Sequence, residues 1–120
     1  KINARIVDLV ARQGVAPGEI TVLIADALRK ADYYATLRRL PLPKPAIWLE
    51  EGIRSSNTVL IDTIQGFKGL ESPVVILWGL DTIDLARSEE LLYVGMSRAK
   101  SLLVVVGTAA TCTNFRGASQ

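Results

Sequence analysis

The chain has 120 residues, enough for one domain around one hydrophobic core. Hydrophobic residues make up 49% of it and the net charge is +2, which argues against a disordered chain and against a broad basic footprint for nucleic acid. With no histidine and a single cysteine, an internal disulfide, a Cys/His zinc site and a histidine-activated nucleophile are excluded. No apolar run reaches the roughly 18 residues of a membrane span. We therefore expect a protein of a reducing, cytoplasmic compartment with no membrane partner.

The predicted elements alternate between amphipathic helices and short apolar strands. In chain order they are a helix over 2–13, a strand over 20–25, a helix over 29–40, a short strand over 47–49, strands over 58–64 and 74–78, a helix over 87–99 and a strand over 102–106. Short strands that are apolar throughout are typical of a parallel sheet covered on both faces. The order predicts an α/β layered domain with a mostly parallel sheet over residues 1–107, followed by a loosely ordered tail over 108–120.

The first segment whose residues are suited to ligand binding follows the predicted strand that ends at Ile64. Gly66 and Gly69 allow backbone conformations that other residues avoid, and they let a ligand approach closely. Lys68 offers a mobile positive charge, and Glu71 can accept hydrogen bonds from sugar hydroxyls. Ligands of parallel sheets bind at the carboxyl ends of strands, so we expect this loop at that edge. An ordinary turn with surface charges would show the same residues.

The loop does not form the phosphate-binding element of a nucleotide hydrolase. That element has the sequence Gly-x-x-x-x-Gly-Lys-Ser/Thr ahead of a helix, whereas Lys68 is followed by Gly69 and then by a predicted strand. No predicted strand ends in paired acidic residues beside such a loop. We therefore expect no metal site in this chain and no ATP hydrolysis by the chain alone.

The second segment whose residues are suited to ligand binding is the predicted helix that ends near Arg98. Ser88 is its predicted N-cap. Gly95 costs about 1 kcal/mol relative to alanine inside a helix, which predicts close packing against a neighbour. Arg98, at the helix end, could reach across a cleft to a phosphate bound elsewhere, as an arginine finger does. Alternatively, Arg98 and Lys100 simply complement the negative end of the helix dipole.

The two segments together resemble a known family. Residues 63–71, Thr-Ile-Gln-Gly-Phe-Lys-Gly-Leu-Glu, with the strand that follows, resemble motif V of the UvrD/Rep-like superfamily 1 helicases. Residues 91–100, Leu-Leu-Tyr-Val-Gly-Met-Ser-Arg-Ala-Lys, with the last strand, resemble motif VI. The order and spacing agree, and the resemblance extends over about residues 20–107. It implies the RecA-like, three-layer C-terminal domain of an ATP-dependent DNA helicase or translocase, cut from a larger protein.

The resemblance also implies partners and residue roles. ATP with Mg²⁺ would be bound mainly by an N-terminal RecA-like domain of the same protein, and single-stranded DNA would be the second partner. Arg98 matches the catalytic arginine that contacts the γ-phosphate. The residues that match the nucleotide-binding part are Lys68, Gly69 and Glu71, with Glu71 near the ribose. The residues that match the DNA-facing part are Thr63, Gln65 and Gly66, where Gln65 replaces the histidine of many relatives.

Two other functions fit the same residues. A degenerate RecA-like module could serve as a scaffold or protein-binding unit without ATPase function. A motor fused to a nuclease domain would show the same motifs as a stand-alone helicase. The sequence upstream of this chain would distinguish the scaffold from the motor. A Walker A lysine and magnesium-binding acidic residues there would favour the motor, and their loss would favour the scaffold.

Overall fold

Five strands form one sheet in which every pairing is parallel. The computed structural model describes residues 2–43, 46–50, 54–67, 69–84 and 86–107, except for the side chain of Asn3. The strands are β1 (Ile20–Ile24), β2 (Ile47–Leu49), β3 (Thr58–Thr63), β4 (Ser72–Trp78) and β5 (Ala99–Val105), in the spatial order β2-β3-β1-β4-β5. The predicted α/β fold is confirmed: the chain has a RecA-like, three-layer architecture. The predicted tail over 108–120 lies outside the described residues.

Helices from the first part of the chain cover one face of this sheet. Helix α1 (Ile2–Val7) continues as a π-helical segment, Asp8–Arg12, and helix α2 (Lys30–Arg38) follows a 3₁₀ turn at Ala27–Arg29. Their apolar side chains pack with alternate strand residues into one core cluster. Its members from the helical layer are Ile2, Ile6, Leu9 and Leu37. The predicted helix over 2–13 is therefore present, with its last turns widened.

The opposite face is covered by helix α3 (Glu89–Met96) and by the loop between β3 and β4. Ile64 and Phe67 of this loop are almost fully buried, and Leu92 of α3 packs in the same cluster. From the sheet they meet Leu23 and Leu77, which point away from the first core cluster. The loop thus belongs to the core, and its position is fixed by apolar burial.

The boundary between α3 and β5 differs from the prediction. Helix α3 ends at Met96 and β5 already begins at Ala99, because Ala99 pairs with Ser72 at the start of β4. Tertiary strand pairing has overridden the helical pattern over the last residues of the predicted helix. Ser88 is the N-cap residue as predicted, but its side chain makes no capping hydrogen bond.

Gly95 packs closely against the loop, as the sequence predicts. A Cβ atom on Gly95 would lie 2.8 Å from Cδ1 and 3.2 Å from Cγ1 of Ile64, and 3.5 Å from Cδ1 of Leu77. The missing side chain therefore lets α3 lie directly on the first residue of the loop.

This contact leads to a prediction for stability. Gly95→Ala should lower the free energy of unfolding by about 1 kcal/mol, because overpacking costs about 1–3 kcal/mol and alanine regains about 1 kcal/mol as a helix former. Ile64→Val removes the Cδ1 atom that the new methyl group meets, so the double variant should be more stable than the sum of the two single changes. Urea denaturation of the four proteins measures this coupling, and simple additivity would contradict the proposed contact.

Candidate functional site

The loop from Ile64 to Glu71 runs from one edge of the sheet to the other. Thr63, where β3 ends, and Trp78 are both paired with Ile24 of the intervening strand β1, so they lie at the same level. Ser72 lies six residues earlier in β4, which at about 3.3 Å per residue is roughly 20 Å away along the strand. The start of the loop is therefore at the carboxyl edge of the sheet, and its end is at the amino edge.

At the carboxyl edge, a hydrogen-bonded turn holds the start of the loop. The Thr63 hydroxyl oxygen accepts the N–H of Gly66 at 3.0 Å, and the Thr63 N–H donates to Oδ1 of Asp62 at 2.8 Å. A Cβ atom on Gly66 would collide with the Asp62 carboxylate and would lie 3.1 Å from Oγ1 of Thr63. The turn therefore needs glycine at this position. It leaves the side chain of Gln65 and the backbone of Gly66 exposed, whereas Thr63 is buried.

The middle of the loop is anchored by Phe67. Its N–H donates to the Thr63 carbonyl at 3.1 Å, and its own carbonyl accepts the N–H of Leu70 at 3.0 Å. Gly69 has φ +83°, a left-handed conformation that glycine adopts at little cost. Lys68, which the sequence assigns to nucleotide binding, lies outside the described residues.

At the amino edge, the end of the loop meets the segment after α3. The Ser72 N–H donates to the Arg98 carbonyl at 2.9 Å, and Nη1 of Arg98 donates to the Leu70 carbonyl at 3.3 Å. Glu71, between Leu70 and Ser72, is exposed at the same edge. The fold therefore brings Glu71 and Arg98 together, although 26 residues separate them in the sequence.

The Arg98 guanidinium is held by neutral oxygen atoms. Besides Leu70, it donates from Nε to the Val94 carbonyl at 3.2 Å and from Nη2 to the Ser97 hydroxyl at 3.2 Å. Within the described part of the chain, Arg98 takes part in no ion pair. Its positive charge is oriented but not neutralised, which suits a group that receives an anionic ligand.

The predicted site residues thus fall into two groups. Those at the carboxyl edge are Thr63, Gln65 and Gly66; those at or near the amino edge are Gly69, Glu71 and Arg98. The expectation that the whole loop lies at the carboxyl edge is wrong for Glu71. The reason is that the loop is itself the crossover between two parallel strands, and a crossover must return to the opposite edge.

An apolar groove lies beside the start of the loop. It has a volume of about 270 Å³ and is lined by Ile64, Gln65, Leu91 and Val94. Only Gln65 contributes a polar side chain to it. The groove lies between the motif V segment and α3, on the surface that carries the predicted DNA-facing residues.

Two polar residues near the site were not singled out from the sequence. Asp62 supports the turn at the carboxyl edge, and Arg54 makes partly buried contacts at the amino edge with Thr21 and Ile20. Asp62 could have been found from the sequence, because it is a charged residue within the apolar run of β3. Arg54 gave no such signal, because its partners lie more than 30 residues earlier in the chain.

The segment that forms this site also matches a family of known proteins. Residues 58–106, from the first residue of β3 to the residue after β5, match the model of the UvrD-like helicase C-terminal domain. This part of the chain is similar to that family's domain. The match contains both motif segments, so the family resemblance is confirmed and a helicase-related function is indicated. A comparison with curated proteins gave no match.

Among the described residues, no group of three or more Cys, Asp or Glu residues is placed to hold a metal ion. Among the helices that these residues form, none is long and apolar enough to cross a bilayer.

Asp62 gives the domain a predictable pH dependence. Burial raises the pKa of its carboxyl group, and the Thr63 N–H and the charge of Lys30 offset this only in part. The folded state therefore holds the proton more tightly than the unfolded state, and this contribution to stability is lost as pH rises from the unfolded pKa through the folded one.

Asp62→Asn keeps the oxygen that accepts the Thr63 N–H and cannot ionise. The variant should therefore gain stability relative to the wild type as pH rises from about 3 to about 8, as measured by urea denaturation at each pH. Asp84→Asn, which also removes one carboxylate, is the control for loss of charge. A constant difference between Asp62→Asn and the wild type over this range would contradict the assignment.

Proposed function

We propose that this domain is the C-terminal motor domain of an ATP-dependent DNA helicase or translocase. It would supply an arginine finger and part of the single-stranded DNA surface to a motor whose N-terminal RecA-like domain binds most of ATP and Mg²⁺. The observation that carries the proposal is the Arg98 guanidinium. It is held by neutral acceptors at the edge that also presents Glu71, within a segment of the UvrD-like family.

Arg98 would act on the terminal phosphate of ATP bound by the facing domain. Charge that develops on the transferring phosphoryl group is stabilised by a guanidinium placed in advance, and in GTPases such a finger contributes about three to five orders of magnitude in turnover. The contacts from Arg98 to Val94 and Leu70 are made by a partly exposed side chain. They can be exchanged for phosphate oxygens when the two domains close.

Glu71 would bind the sugar of the same nucleotide. Its carboxylate is exposed beside the Leu70 carbonyl that Arg98 contacts, and it can accept hydrogen bonds from ribose hydroxyls. Gly69, exposed and with φ +83°, leaves open space next to the backbone. We further propose that Lys68 takes part in binding the nucleotide.

Single-stranded DNA would bind at the other end of the loop. Gln65 and the backbone of Gly66 are exposed there and can form hydrogen bonds with phosphates or bases. Thr63 would act mainly by shaping this surface, since its hydroxyl already holds Gly66. One covalent segment then connects the two sites, so opening and closing of the nucleotide cleft would displace the DNA-binding turn.

The first test is ATP hydrolysis by the intact protein that carries this domain and its N-terminal partner domain. With single-stranded DNA present, Arg98→Ala should lower kcat by about 10³-fold or more, because the finger is lost. Arg98→Lys should recover only part of this loss, since it keeps the charge without the two-pronged geometry. Arg12→Ala, at a side chain that is 83% exposed on the opposite layer, is the matched control.

Unchanged turnover in a folded Arg98→Ala protein would overturn the proposal. So would the absence of DNA-stimulated ATPase activity in the wild type, and the scaffold interpretation would then replace it.

The DNA-binding role has its own test. Gln65→Ala should raise the DNA concentration for half-maximal ATPase stimulation by about two- to tenfold, as expected for one lost hydrogen bond, and leave kcat at saturating DNA unchanged. Gln13→Ala is the matched control, because Gln13 is exposed on the opposite layer and bonds to Asp8. A change in kcat alone would place Gln65 in the catalytic step and contradict the assignment to DNA.

A further inference from the structure

We propose that half-buried Arg54 and buried Thr21 and Ser72 form a hydrogen-bond relay that positions the backbone segments carrying Glu71 and Arg98. Arg54 would be a positioning residue that acts through Ser72. The structural part of this inference stands on the contacts of the three residues, and its catalytic consequence rests on the proposed function.

The relay runs in one direction because a guanidinium can only donate hydrogen bonds. Nη1 of Arg54 donates to the Thr21 hydroxyl oxygen at 2.6 Å, while Nη2 donates to the Ile20 carbonyl. The Thr21 hydroxyl in turn donates to the Ser72 hydroxyl oxygen at 3.0 Å. The Ser72 hydroxyl then donates to the Glu19 carbonyl at 2.8 Å, with the Val74 carbonyl at 3.2 Å as its other acceptor.

The relay reaches the candidate site at Ser72. This residue follows Glu71 directly, and its N–H donates to the Arg98 carbonyl at 2.9 Å. Ser72 is paired with Ala99 of β5, but the register of this pairing is irregular between Ser72 and Val74, so the regular ladder is interrupted on one side of Ser72. The side chains of Thr21 and Ser72 are fully buried, so the relay holds Ser72 from the side of β1, in addition to its backbone pairing with β5.

The energetics of Arg54 favour a role beyond filling space. Burial lowers the pKa of its guanidinium below the usual value, and its Nε atom is buried without a hydrogen-bond partner. Burying a charge with an unpaired donor is unfavourable, and an apolar residue of similar size would avoid that cost. Arginine instead supplies two donors in fixed geometry, one for each of two neighbouring residues of β1.

Amide hydrogen exchange of the 120-residue chain tests the structural part. Thr21→Val keeps the shape of the side chain but removes the hydroxyl, and it should speed exchange of the Ser72 amide about tenfold or more relative to the Ile76 amide in the middle of β4. Thr21→Ser, which keeps the hydroxyl, should retain slow exchange. Arg54→Met should act like Thr21→Val, and it provides a second route if one variant folds poorly.

Arg38→Met is the matched control. Arg38 also joins two elements, through a 2.8 Å ion pair with Glu50, but it lies outside the relay. Its loss should leave the Ser72 amide unchanged. Equal exchange of Ser72 in wild type and Thr21→Val would overturn the inference.

A double-mutant cycle in the intact protein tests the catalytic part. Thr21→Val should lower kcat about tenfold while changing KM for ATP less, because a displaced Arg98 weakens the transition state. In the Arg98→Ala background the same change should have no further effect on kcat, since there is no finger left to position. A full additional loss in that background would show a general structural effect and overturn the positioning role.

The two experiments separate this inference from the proposed function. If Arg98→Ala does not change turnover, the arginine-finger proposal fails. The exchange rate of the Ser72 amide would still decide whether the relay holds this segment.

Discussion

The structure depends on how the eight-residue crossover from Ile64 to Glu71, which joins β3 to β4, is held against the sheet. Two parallel strands of one sheet can be joined only by a segment that returns from one edge to the other, usually with a dozen residues or more. This segment also crosses β1, which lies between β3 and β4. Here Ile64 and Phe67 bury the segment in the core, and Gly95 lets α3 lie directly on it. Because apolar packing fixes the middle, the two exposed ends have defined positions at opposite edges.

Neutral acceptors explain how a cation can be both fixed and available at one of those edges. Carbonyl and hydroxyl oxygens accept one hydrogen bond from each nitrogen of the Arg98 guanidinium and restrict its rotamers, but they do not cancel its charge. A carboxylate in the same place would form an ion pair that an incoming phosphate would have to break. The exposed carboxylate of Glu71 lies nearby, one residue before β4, and among the described residues it forms no ion pair with Arg98. The edge therefore offers a donor and an acceptor side by side.

The sequence predicted the layers well because β1, β3 and β4 are apolar runs whose burial leaves little choice of conformation. It misplaced the end of α3 because the decisive interaction, Ser72 with Ala99, is a strand pairing that no local pattern contains. It placed Glu71 at the wrong edge because a short loop resembles a turn, and only the strand order shows that it crosses β1. Arg54 was missed for the same reason, since its contacts exist only in the folded sheet.

The crossover also has a consequence for which changes in length the domain can accept. Its residues must cover roughly 20 Å along the strands and about 10 Å across them, and turns at Phe67 and Leu70 already take up part of the chain. A deletion would leave the crossover too short to cover this distance while keeping its turns. An insertion would displace Phe67 from the core. Changes in length should therefore be tolerated better at exposed connections such as residues 13–14 than within the crossover.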